Sequence, residues 1–390
     1  MNGGEIKDLY LYIHWPFCES LCPYCDFNSF LYNLEDRGKF LSAYLIEIQD
    51  YAKDLSKTHV LKTIFFGGGT PSLMNENEVE EILKCIYKCF KLDDKIEISF
   101  EANPSSFEIA KFKDFKLCGI NRISIGVQSF DEKNLKILGR RHNKNEAIFA
   151  IESACDIFQN TSFDLMFGMQ GQGENEIISE LDFALNRFKN QHISVYNLAI
   201  EKGTDFYAMY KRGELILPNE EVLSNMYDAS IKKMEEFGFL QYEVSNYAKN
   251  GFKSKHNMGY WQIKDYIGIG SGAHGRFFID NQRFEAMNLH SPLKWMEKVI
   301  DSRRGLQKCH KISIRNQVYE VFLMSMRIFD GIDIMDIKNR LKIDILEYIN
   351  FTKMQFLVEN NMIIATDKYI KPTKIGIKMV NYLVKCLLKN

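Results

Sequence analysis

The sequence predicts an α/β fold: a partial (β/α)6 barrel followed by a smaller, helical, winged-helix-like C-terminal domain. Three observations carry that expectation. Short β-rich runs alternate with segments of helical period, several runs end in polar or glycine-rich text, and past residue 290 the pattern changes to helices with a short hairpin. Strands that return in parallel need a crossover, usually a helix, so such units in series imply a parallel sheet.

The runs are LYLYIH at 9–14, TIFF at 63–66, IEISF at 96–100, RISIG at 122–126, SFDLMF at 162–167 and HISVYNLAI at 192–200. Helical periodicity fills the intervals 35–55, 76–90, 107–117, 144–158, 174–188 and 220–237. CxxxCxxC follows the first run, GGGTPS the second, EANP the third, and the fourth continues into GVQSF. Barrels build their sites from loops at the carboxyl ends of the strands, so one rim should collect this chemistry. Beyond it, IRNQVYEVFLMSMR, IDIMDIKNRL and ILEYINFTKMQFLVEN lead into MIIATDKYIKPTKIG and a last helix, the order of a winged helix. The barrel is expected over 1–285 and the C-terminal domain over 286–390.

Hydrophobic content of 46% and charged content of 26% are ordinary for a folded globular protein. The opening MNGGEIKDLY has no basic start leading into an apolar run, and no window offers the roughly 18 apolar residues of a membrane span. A cytoplasmic protein with no membrane span is therefore expected. Thiols there stay reduced, so nine cysteines argue for metal, catalysis or core filling before disulfides. Cys85 and Cys89 share one apolar face of a predicted helix and read as core, while Cys118, Cys155, Cys309 and Cys386 are isolated.

Net charge is −1, which favours neither nucleic acid nor anionic membranes. From residue 291 onward there are 18 Lys or Arg against 10 Asp or Glu. These positives are spread out, unlike a nucleic-acid footprint. A docking surface or lid is the expectation, and no nucleic acid partner.

Cys18, Cys22 and Cys25 form the clustered trio. Structural zinc wants four closed ligands, and His14 and Asp26 are poorly spaced to supply a fourth. A [4Fe–4S] cluster normally takes four thiolates, so three would leave one iron open to a small chelating ligand. Gly67, Gly68 and Gly69 let backbone approach a ligand closely, and Thr70 and Pro71 stiffen the exit. Glu101, Gln128, Arg140 and Asp164 fall on the same expected rim.

CxxxCxxC after the first strand with GGGTP after the second resembles the radical SAM superfamily. There S-adenosylmethionine (SAM) chelates the open iron, and one electron from the cluster yields a 5′-deoxyadenosyl radical. YIHWPFCESLCPYCDF, FFGGGTPS, EANP, RISIGVQSFD, LGRRH, DLMFGMQGQ, YEVSNYAK and HNMGYW followed by GIGSGAHG are similar to the oxygen-independent coproporphyrinogen oxidase family and, within it, to HemW-type haem chaperones. The resemblance implies that Cys18, Cys22 and Cys25 hold the cluster, with Tyr24 beside it. It implies SAM contacts at Tyr12, Gly68, Gly69, Thr70, Glu101, Gln128, Arg140, Asp164 and Ala199.

The oxidases extend the motif to CxxxCxxCxC, whereas Cys25 is followed here by Asp26 and Phe27, and they carry a longer segment ahead of it. Both departures point away from oxidative decarboxylation of coproporphyrinogen III, the alternative activity, and toward a haem chaperone that passes haem to an acceptor apoprotein. His256-Asn257-Met258-Gly259-Tyr260-Trp261 matches the HNxxYW pattern of the chaperones. A neutral imidazole can ligate haem iron, and Tyr260 and Trp261 could lie against a porphyrin face. The same motif could instead close the barrel through packing and hydrogen bonds. Cys309-His310 and His274 are further candidates for ligands.

Overall fold

The computed structural model describes residues 6–389, so the first five residues of the opening lie outside it. The six expected strands form: β1 (Lys7–Trp15), β2 (His59–Gly68), β3 (Lys91–Ala102), β4 (Arg122–Gln128), β5 (Asn160–Phe167) and β6 (His192–Asn197). All pair in parallel and in sequence order, from β1 beside β2 to β5 beside β6. Helices Arg37–Leu55, Glu76–Cys89, Phe112–Cys118, Lys144–Ile157 and Glu174–Arg187 supply the crossovers. Two begin with a capping box, at Asn75 with Glu78 and at Asn143 with Glu146, which satisfies amides the first turn leaves free.

Apart from local register shifts, the strands alternate between two environments. On β1, Leu9, Leu11, Ile13 and Trp15 are buried in the core beneath the helices. Tyr10, Tyr12 and His14 face the other way, in step with Thr63 and Phe65 on β2. A doubly covered parallel sheet usually reads as continuous apolar text. The intervening Tyr, Thr, Glu, Ser and Arg residues mark the inner face as a polar lumen.

The sheet extends further than the sequence suggests. A seventh parallel strand, β7 (Asp265–Ile269), pairs with the free edge of β1. Antiparallel strands β8 (His274–Ile279), β9 (Gln282–Asn288) and β10 (Leu306–Lys311) continue outward from it. Among the described residues the sheet has twelve strands, two short ones lying beyond β6. β9 runs across residues 285 and 286, and the sheet persists to Lys311. Buried Glu47 ties this extension to the first helix by accepting from the amides of Gly270 and Gly305, the Trp295 indole and the Asn288 amide.

A second core gathers residues from Val318 to Leu387 in the C-terminal region together with Ile263. Its order is helix Ile314–Ser325, strand Ile332–Asp333, helices Ile334–Leu341 and Phe351–Glu359, hairpin Ile363–Ala365 with Tyr369–Pro372, and helix Val380–Leu387. Cys85 is buried in the barrel core with Cys89 packed partly against it. Cys309 is exposed on β10 beside His310, which pairs with Glu285 at 2.6 Å, and His274 is exposed on β8. Among the described residues no helix is long and apolar enough to cross a membrane.

Candidate functional site

A cavity of about 400 Å³ opens at the carboxyl ends of the strands. One wall is the loop after β1, where Phe17–Cys18 pairs with Phe30–Leu31 and the Cys25 amide turns back onto the Cys22 carbonyl at 3.1 Å. Cys18, Cys22, Tyr24 and Cys25 line the cavity from this loop. The other walls present Gly68, Gly69 and Thr70 after β2, Glu101 on β3, Gln128 and Arg140 beyond β4, Asp164 on β5 and Ala199 past β6. Tyr12 sits behind that lining. Its hydroxyl lies 2.9 Å from His14 Nδ1, and a Cβ on Gly67 would come within 3.0 Å of both the Tyr12 ring and Glu101.

Local backbone explains why these residue types stand here. Gly68 has φ of +115°, and a Cβ there would lie 2.6 Å from the His14 ring. At Gly69 a Cβ would meet the Phe17 carbonyl at 2.8 Å and Cys18 Sγ at 3.0 Å. The glycines thus bring the end of β2 against the cysteine loop. Gln128, with φ of 70°, ends β4 in a region that costs a non-glycine residue about 1–3 kcal/mol, a strain typical of ligand sites.

The donor set suits an iron–sulfur cluster. Burial pushes the Cys18 thiol up to about 11, so a cationic centre is needed to hold the thiolate at neutral pH. The Thr70 hydroxyl donates to Cys18 Sγ and Arg140 Nη1 donates to Cys22 Sγ, both at 3.5 Å, contacts that temper thiolate charge. Arg140 Nη2 is fixed by Asn103 Oδ1 and the Gly126 carbonyl at 2.7 Å, while its buried Nε has no partner among the described residues. Among those residues no three His, Cys, Asp or Glu side chains close around a single metal ion. A cubane spreads its thiolates over separate irons, which is what a more open trio fits. Burial, then the charge of Asp164, pushes the Glu101 carboxyl up to about 8, and the Gly68 amide, 3.2 Å from its Oε2, opposes the shift.

The comparisons decide the family. Residues 12–184 match the model of the radical SAM superfamily. The chain is 33% identical over 386 residues to "Heme chaperone HemW" of Buchnera aphidicola subsp. Acyrthosiphon pisum, covering 97% of this chain and 98% of that protein. The chain belongs to the HemW family of radical SAM proteins. A Bacillus subtilis protein of the same name is 36% identical over 82% of this chain and 84% of its own length. Among solved structures, the radical SAM enzyme coproporphyrinogen III oxidase (HemN) of Escherichia coli superposes with a TM-score of 0.79 at 19% identity, covering 98% of this chain and 90% of that one. This likeness is one of fold. Membership of the family implies a [4Fe–4S] cluster and SAM, and the cavity has the residues to receive them.

The HNxxYW segment is elsewhere. It forms helix Lys255–Trp261 at the amino ends of the strands, where Glu97 accepts from the Lys255 and His256 amides. Glu97 precedes the cavity residue Glu101 on one strand, and Thr63, which bonds His256, precedes Gly68 on the next. His256 is 1% exposed, and both ring nitrogens are engaged, Nδ1 by the Thr63 hydroxyl at 2.6 Å and Nε2 by the Tyr260 hydroxyl at 2.8 Å. Its ring stacks on Phe65 at 4.9 Å, and Tyr260 meets Tyr266 edge-on at 4.6 Å. Trp261 lies under the Arg327 guanidinium, 4.9 Å from its ring centre. In this state the structure gives His256 no free nitrogen for a metal and does not bring His256, Tyr260 or Trp261 to the cavity. Sequence reasoning passed over two residues that do line it, Asn103 and His142. Their signals were the EANP and LGRRH segments quoted above.

Proposed function

We propose that this chain is a cytoplasmic haem chaperone, which binds haem and passes it to an acceptor apoprotein, with the cluster and SAM held in the barrel cavity. The observation that carries this reading is the near full-length similarity to a protein named heme chaperone HemW. Phe27 supports it. It stands where the oxidase motif has its fourth cysteine and is 64% exposed on the cavity wall, an aromatic ring in place of a thiolate.

Cys18, Cys22 and Cys25 would hold the cluster, which when bound supplies one-electron cleavage of the SAM carbon–sulfur bond. Thr70 and Arg140 stabilise the sulfur charge through the contacts described. Gly68 and Gly69 leave room for a ligand against backbone, and Glu101, once ionised, would offer a negative charge to cationic SAM. Gln128, Asp164 and Ala199 complete the walls and orient the cofactor, and Tyr12 backs Glu101. The basic surface of the C-terminal region suits an acidic face of the acceptor, with no nucleic acid involved.

The test compares two outcomes on protein loaded with cluster under anaerobic conditions. Haem titration should give a saturable Soret band at one equivalent. Incubation with SAM, a one-electron reductant and coproporphyrinogen III should leave that substrate unchanged on chromatography. Formation of protoporphyrinogen without haem binding would replace the chaperone reading with the oxidase.

A further inference from the structure

Among the described residues five histidines are buried: His14, His59, His142, His192 and His256. Four of them engage both ring nitrogens. His14 uses the Tyr12 hydroxyl and the Asn28 carbonyl, and His59 uses the Leu55 carbonyl and Asp265. His192 uses Ser162 and Tyr242, and His256 uses Thr63 and Tyr260. His142 is the exception. Its Nε2 lies 3.0 Å from the Val127 carbonyl, and its Nδ1 has no partner among the described residues.

A carbonyl only accepts, so Nε2 carries the hydrogen and Nδ1 keeps its lone pair. Metal-ligating histidines show this arrangement, one nitrogen tied to a carbonyl so that the other is aimed and basic. Burial, reinforced by Arg140, pushes the His142 imidazole down to about 3, so it stays neutral at physiological pH. The ring also lines the cluster cavity, whereas His256 lies outside that lining, with its ring centre 6.4 Å from that of Tyr12. His142 is 7% exposed, its Nε2 is committed to backbone, and its Nδ1 is not among the sealed unpartnered atoms, so this nitrogen keeps access from the cavity side.

The same cavity offers surface for a flat macrocycle. Leu21 and Phe27, 50% and 64% exposed, line it from the cysteine loop. Arg141 lines the same cavity and pairs with Glu19 at 2.8 Å, an exposed contact that a carboxylate ligand can replace at little cost.

We infer that His142 Nδ1 is an axial ligand to haem iron, with the macrocycle over Leu21 and Phe27 and a propionate on Arg141. This rests on the haem reading above and names the ligand that reading lacks.

The test uses protein carrying its cluster in the oxidised state, titrated with ferric haem and followed by the Soret band and electron paramagnetic resonance. His142→Ala should weaken haem binding at least tenfold and abolish the nitrogen-ligated signature, and added imidazole should restore it. His142→Gln keeps an N–H for the Val127 carbonyl, so it should lose the signature while cluster iron is retained. Wild-type spectra and affinity in both variants would overturn the assignment while leaving the haem reading in place. Loss of haem together with cluster iron in both variants would also overturn it, as a structural effect. Absence of haem binding by the unmodified protein would overturn the reading and the inference together.

Discussion

The two ends of the barrel are built from similar residues and do opposite things with them. At the amino end, buried Glu97, Thr63 and His256 and half-buried Tyr260 are tied together by hydrogen bonds. At the carboxyl end, Arg140 Nε and His142 Nδ1 are left without partners, Gln128 is held in a left-handed conformation, and the Cys18 and Glu101 protons are held by burial. Saturated polar groups stabilise a closed arrangement, whereas a buried unpaired one such as Arg140 Nε raises its free energy. The contrast teaches that a histidine motif and a ligand site need not coincide.

The largest effect expected from breaking the carboxyl end is total. Replacing Cys18, Cys22 and Cys25 together with alanine should remove all cluster iron and visible absorbance by iron and sulfide analysis, while the circular dichroism of the sheet persists. Iron retained at wild-type stoichiometry would move the cluster elsewhere.

Next comes Glu101. Its carboxyl titrates near 8 in the free protein, above the ordinary carboxylate range, so at pH 7 it is mostly protonated. The positive charge of SAM favours the ionised form, so binding should release a proton. Affinity should then rise with pH by up to about tenfold per unit and level off above about 8. Isothermal calorimetry across pH 6–9 checks the slope. Glu101→Gln should flatten it and weaken binding by about 10–100-fold, the worth of a charged hydrogen bond.

At the amino end the same kind of change should act on stability instead. His256→Ala strands the Thr63 and Tyr260 hydroxyls in the interior, and at about 1–3 kcal/mol per stranded group the loss should be about 3 kcal/mol. Urea unfolding should show it with an unchanged slope, while SAM affinity stays within about threefold of wild type. A Cβ on Gly259 would fall 2.3 Å from the Tyr10 ring, so Gly259→Ala should behave alike through overpacking, costing about 1–3 kcal/mol. A large loss of SAM affinity in either variant would show that the two ends are coupled.

Much of this division was legible in the sequence, for identifiable reasons. The six β/α units could be read because each strand carries its own apolar run, and the cavity because its residues cluster within a few positions of the strand ends. The seventh strand could not, since Asp265–Ile269 is short and gains strand character only from the free edge of β1. The helix Lys255–Trp261 is local and legible, but its position follows from Glu97, more than 150 residues away. Nothing near His256 announces that contact. His142 was hidden differently: between Arg141 and Asn143 it looks solvated, and only the fold buries it.

The smallest effect concerns the cavity rim. Glu19 and Arg141 are about half exposed, and such pairs contribute about 0–1 kcal/mol, so Glu19→Gln should leave the unfolding midpoint nearly unchanged. It should instead free the Arg141 guanidinium for a carboxylate ligand. Haem affinity at low ionic strength should then rise about two- to threefold, and the gain should fade toward 0.15 M salt, where the Debye length is about 8 Å. A gain that survives high salt would mean that Glu19 restrains the rim by shape rather than charge. No change at low salt would place the propionates away from Arg141 and leave His142 as the group that fixes haem at the carboxyl end.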